Sequence, residues 1–173
     1  MRRLIKNNRG ITMKSIPFSI ILIFSLCLSA CSEDVDSQEH VDEIYIAALD
    51  AMMGLDEALN HAMKFIAIDR SNFDDLDEPV KDSITAYFKE KYGVEVLVAT
   101  LDQLKEKSLF HTDTMSLDGV LLRIEKVDFT SDKEVLVEGS KYKSGLGAVG
   151  VKSVVLFKDG KWQIKDSKVT WQS

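Results

Sequence analysis

Beyond Asp118 the spacing of apolar residues changes from threes and fours to twos, and that change limits the folds open to this chain. Before it, Val41, Ile44, Tyr45, Ala48, Leu49, Met52, Leu55, Leu59, Ala62, Met63 and Ile66 recur at helical intervals. After it come GVLLRIEKVDF (119–129), EVLVEGSKYK (134–143), GVKSVVLFK (150–158) and KWQIKDSKVTWQ (161–172), rich in Val, Ile, Thr and aromatic residues. TSDK, a glycine loop and KDGK separate them, and Asp159-Gly160 is the strongest hairpin signal. Helices first and strands second predict an α+β domain, with N-terminal helices packed on one face of a C-terminal four-stranded antiparallel sheet.

The first helix is expected to be long, Val41 to Ile66, with Gly54 as its weak point. Asp77 and Pro79 begin a second helix, whose apolar stripe is Val80, Ile84, Tyr87 and Phe88 and whose end is Gly93. VEVLVA (94–99) reads equally as a short strand or an extended loop. Thr100 and Gln103 form a capping box ahead of a short third helix in LDQLKEKSLF.

Residues 1–30 differ in kind. Arg2, Arg3, Lys6, Arg9 and Lys14 precede an apolar run from Ile16 to Ala30, with no acidic residue among them. A basic start, a short apolar stretch and small residues describe a secretory signal, and the run falls short of the about 20 residues of a comfortable membrane span. Leu28-Ser29-Ala30-Cys31 resembles the bacterial lipoprotein lipobox. The resemblance implies a diacylglyceryl group on the Cys31 sulfur, cleavage just before it, and a domain anchored on the extracytoplasmic face of the cell membrane or outer membrane. The polar SEDVDSQE that follows argues against a signal-anchor helix with an incidental cysteine. Met13 begins a complete signal of its own, so either Met1 or Met13 could be the start. The expected organisation is 1–30 signal peptide, 31–40 acidic tether and 41–173 a single α+β domain. Eight flexible residues of tether reach about 17 Å.

After residue 30 the chain carries 28 acidic and 17 basic residues, a formal net charge of −11, which does not suit nucleic acid, and no nucleotide is expected either. Cys27 falls in the signal and Cys31 is the acylation site, so no disulfide is expected. Residues 31–120 hold 21 acidic and 7 basic groups, whereas 121–173 hold 7 and 10. This split predicts that the sheet and its lysines, Lys141, Lys143, Lys152, Lys158, Lys161 and Lys165, lie nearer an anionic leaflet than the helices do.

Gly145, Gly147 and Gly150 spell G-x-G-x-x-G, but a strand pattern follows where a dinucleotide fingerprint needs a helix. The three glycines are expected instead to supply positive-φ positions and a bulge at a strand turn. Ser140 and Lys143 match S-x-x-K within a strand, without the companion motifs of penicillin-recognising enzymes. Glu57 and His61 would share a helix face, too little alone for a metal site. His40 and His111 stand apart. Asp74, Asp75, Asp77 and Glu78 lack the glycine and spacing of a calcium loop and read as a solvated loop before a helix. Met52, Met53 and Met63 fit either a core or an adaptable groove. The candidate ligand-binding residues are Tyr87, Tyr142, Trp162 and Trp171, with a place between helix and sheet as the other role of the tryptophans. No catalytic residue, metal or cofactor is assigned.

A long first helix, further helices and a meander ending DGKWQIKDSKVTWQS resemble the cystatin-like and NTF2-like group. That resemblance implies a curved sheet wrapping a helix, sometimes around a pocket. Two functions are expected: a membrane-anchored, non-enzymatic binding or accessory domain for an envelope protein partner, or a small-ligand pocket protein or weak hydrolase.

Overall fold

The computed structural model describes residues 35–73 and 76–173. The signal, Cys31, the first part of the tether, Asp74 and Asp75 lie outside them. The domain is α+β, but its sheet has seven strands, not four, and is mixed, not antiparallel. The elements run α1 (Val41–Gly54), β1 (Phe65–Asp69), α2 (Glu78–Tyr92), β2 (Glu95–Val98), α3 (Leu101–Glu106), β3 (Phe110–His111), β4 (Ser116–Ser131), β5 (Glu134–Ser144), β6 (Gly147–Lys158) and β7 (Lys161–Gln172). A 3₁₀ turn, Ser37–His40, leads into α1, with Asp36 Oδ1 accepting from Gln38 N at its start.

The expected long helix ends twelve residues early. Gly54 is its last residue, Leu55 is extended, and Asp56 adopts a left-handed conformation at φ 47. Glu57–Asn60 is then a single 3₁₀ turn, so Glu57 and His61 share no α-helical face. Phe65 to Asp69, which prolonged the helical spacing on paper, form β1 with all five residues buried. A strand covered on both faces has no alternation, so its apolar run cannot be told from a helix by period.

Strand order is β2-β1-β4-β5-β6-β7, with β3 paired to the start of β4. β1 lies parallel to both neighbours, Ile66 opposite Val96 on one side and Val120 on the other. β4 to β7 form the expected meander, and Asp159 (φ 55) with Gly160 (φ 76) makes the last turn. The four-stranded helix-on-meander resemblance to the cystatin-like and NTF2-like group therefore does not hold.

Helices cover both faces of the sheet. On one, Ile44, Leu49 and Met52 of α1 and Ile84 and Phe88 of α2 pack on Ile66, Ile68, Val120, Leu122, Val135, Val137 and Val151. On the other, Leu104 of α3 joins Phe65, Ala67, Ala99, Leu117 and Leu121. Burying each large side chain contributes about 1.5–3 kcal/mol. The capping box of α3 is present: Gln103 N donates to Thr100 Oγ1 at 3.3 Å and Thr100 N to Gln103 Oε1 at 2.9 Å.

Gly145, Gly147 and Gly150 do not have positive φ, contrary to expectation. Gly150 serves close approach: a Cβ there would stand 2.0 Å from Nε1 of Trp171, whose indole lies across it. Gly139 does the same beneath α1, where a Cβ would meet the Met52 methyl at 2.4 Å and the Arg123 carbonyl oxygen at 2.3 Å.

Lys141 shares the inward parity of Val135, Val137 and Gly139 and is fully buried. It therefore leaves the set of surface lysines. Its ammonium donates to the backbone oxygens of Met53 (3.3 Å), Leu55 and Asp56 (3.0 Å) and to Asn60 Oδ1 (3.2 Å), closing the C-terminus of α1. Asn60 Nδ2 returns a bond to Met53 O at 2.8 Å. The carbonyls left over at a helix end attract a cation, so the lysine substitutes for the missing turn. Burial pulls its pKa down to about 8, against the attraction of Asp56 and Glu57.

Candidate functional site

The carboxyl end of β1 is where the chain's connections part. α2 carries it to β2 over the face of α1, and α3 carries it back to β4 over the opposite face. Open α/β sheets form crevices at such switch points, outside the carboxyl ends of parallel strands. A cleft of about 490 Å³ lies here, lined by Asp69, Ser71, Thr100, Leu101, Asp102, Leu121, Arg123, Glu125, Ser140 and Tyr142.

Asp69 ends β1 beside Arg123, its register partner on β4. Its side chain is only 5% exposed, while that of Arg123 is 47% exposed. Asp69 Oδ1 accepts from Ser71 N at 2.9 Å, which turns the chain out of the strand. Oδ2 stands 3.7 Å from Arg123 Nε, close enough for ionic attraction but too far for a hydrogen bond. Further along, Ser140 Oγ donates to Glu125 Oε1 at 2.8 Å. Tyr142 OH donates to Met115 O at 2.5 Å, and burial raises the phenol pKa, partly offset by Lys105.

The cleft's frame is braced on both sides of Asp69. Arg70 Nη2 donates to Lys81 O at 2.5 Å and to Thr85 Oγ1, fastening the strand end to α2. Asn72 Nδ2 donates to Ile124 O at 2.9 Å, fastening the following loop to β4.

The four aromatic candidates fall in three places. Tyr142 lines the cleft. Tyr87 and Trp162 line an open groove of about 660 Å³ with Ile46, Ala47, Asp50 and Ile164. Trp162 is buried against Phe157, its ring centroid 5.5 Å away, and its indole N–H has no partner among the described residues. Trp171 lies apart, over Gly150. Met52 and Met53 are core residues. Ser140 and Lys143 of the S-x-x-K do not act together, since Lys143 Nζ donates to His61 O at 3.1 Å.

Asp69, Arg123 and Glu125 are the residues that sequence reasoning missed, and Ser140 was met only as a chance S-x-x-K. Two signals were available: an aspartate closing an apolar run, FIAID, and an arginine inside one, LLRIE.

The chain matches no family model, no curated protein and no solved structure. What defines its class is the architecture itself, an α+β domain on a mixed sheet with a polar cleft at the switch point. Its described residues hold no helix long and apolar enough to cross a membrane.

Proposed function

We propose that the chain is a lipid-anchored binding domain outside the cytoplasm, with the cleft at the carboxyl end of β1 as its ligand seat. The lipobox carries the location, and the convergence of Asp69, Arg123, Glu125, Ser140 and Tyr142 in one cleft carries the binding. Ligand sites are mostly concave, with a few placed polar groups over an apolar lining, and here Leu101 and Leu121 supply that lining. Ser140 donates to a carboxylate, not to an imidazole, and none of the three histidines lines the cleft, so binding is favoured over a weak hydrolase.

Native mass spectrometry of the protein taken from membranes in mild detergent tests this reading. A small-molecule adduct is expected, lost when Leu121→Trp fills the cleft. An adduct that survives Leu121→Trp, or none from any growth condition, overturns it.

A second reading keeps an envelope protein partner, docked on the groove beside α1. The open lining of Ile46, Ala47, Ile164 and Tyr87 favours it. Crosslinking from Ile46 or Ile164 in intact cells is its test, and capture equal to that from a surface site such as Lys161 would sink it.

A further inference from the structure

We infer that the cleft takes a free α-amino acid, held as a zwitterion between Asp69 and Arg123; this rests on the cleft being the ligand seat. Both residues have capacity to spare. Asp69 Oδ2 has no hydrogen bond among those of the described residues, although its side chain is 95% withdrawn from solvent, and its contact with Arg123 Nε is long at 3.7 Å. The guanidinium carries five donors in a planar fork suited to a carboxylate. A ligand with ammonium and carboxylate on one carbon gives each residue a closer partner, the ammonium on Asp69 and the carboxylate on Arg123.

Charge selects against a lone anion, which meets Asp69, Asp102 and Glu125, while a lone amine leaves the Arg123 guanidinium without a carboxylate. A zwitterion brings no net charge into the cleft, so the desolvation cost of burying an unpaired ion is avoided. Glu125, already accepting from Ser140 of β5, lies on the side of Arg123 away from Asp69 and adds a further carboxylate against a lone anion. Leu101, Leu121 and the ring of Tyr142 line the rest, which favours an aliphatic over a charged side chain.

Calorimetric titration of the full-length protein in detergent micelles compares L-leucine with its decarboxylated amine, 3-methylbutylamine, and its deaminated acid, 4-methylpentanoate. Leucine should bind at least about tenfold more tightly than either, the worth of one charge-assisted contact. Arg123→Gln and Asp69→Asn, the latter keeping an oxygen for Ser71 N, should each weaken leucine by about tenfold or more with unchanged circular dichroism. An amine or acid that binds as well as leucine overturns the zwitterion but leaves the cleft a ligand seat. Leucine binding untouched by Arg123→Gln, Asp69→Asn and Leu121→Trp overturns both. No binding of leucine at about 10 mM overturns the inference alone, and the adduct measurement then decides the cleft.

Discussion

Lys141 Nζ reaches the backbone oxygen of Met53 across 3.3 Å and 88 positions of sequence, so strand β5 finishes a helix made at the other end of the domain. Replacing Lys141 by Met keeps the length of the side chain and removes the donor. The carbonyls of Leu55 and Asp56, both only partly buried, then lose their partner, and the loss should cost no more than the figure for fully buried acceptors, about 1–3 kcal/mol. Urea unfolding should show a lower midpoint with an unchanged slope. An unchanged midpoint would mean that water replaces the ammonium without cost.

The same lysine makes stability depend on pH in an uncommon direction. Its folded pKa is lowered from 10.5 to about 8, so between these values the unfolded chain holds a proton that the folded chain has released. Stability therefore rises with pH through this window, while below about pH 8 both states are charged and the contribution is flat. Tyr92, whose pKa is raised chiefly by burial and by its bond to Asp50, acts oppositely above its ordinary value near 10. Subtracting Lys141→Met from the parent isolates the term. The difference should shift in the parent's favour from pH 8 to 9.5, and a flat difference refutes it.

Gly150→Ala puts a methyl where the Trp171 indole lies, with contacts of 2.0 to 2.4 Å. The indole must move, at a cost of about 1–3 kcal/mol. With 5-fluorotryptophan, one of two fluorine resonances should shift and the Trp162 signal stay in place. Two unmoved signals would place Trp171 elsewhere in solution.

Gly139→Ala is expected to be the harsher change, because one of its clashes is with the Arg123 backbone oxygen at 2.3 Å. A backbone atom in a sheet cannot step aside as a side-chain end can. Loss of several kcal/mol, read as a thermal midpoint well below that of Gly150→Ala, is the expected result. Equal midpoints for the two variants would contradict this ranking.

Cys31→Ala should leave an uncleaved precursor without lipid. A fatty-acid probe that still labels this variant would refute the lipobox assignment.

The meander, the second helix and the capping box of α3 were legible in the sequence because each carries a local signal: alternation, Pro79 and Gly93, or Thr100 with Gln103. β1 was not. Its residues continue the spacing of α1 by coincidence, and only pairing with β2 and β4 makes them a strand. The cleft was hidden for the same reason, since Asp69 and Arg123 are 54 positions apart and meet only through that pairing. Tyr142 was legible as a candidate, but not its neighbours. Lys141 could have been placed by parity with Val135 and Val137, yet its charge argued for the surface.

The place of β1 between β2 and β4 also sets an order of events. β4 to β7 are joined by short turns and can zip together with little loop-closure cost, whereas β1 meets β4 only after the long excursion through α2, β2 and α3. The half of the domain made first therefore needs the half made last, for the second neighbour of β1 as well as for its helix cap. Together these contacts need the chain as far as Lys141, and neither can form from the first half alone.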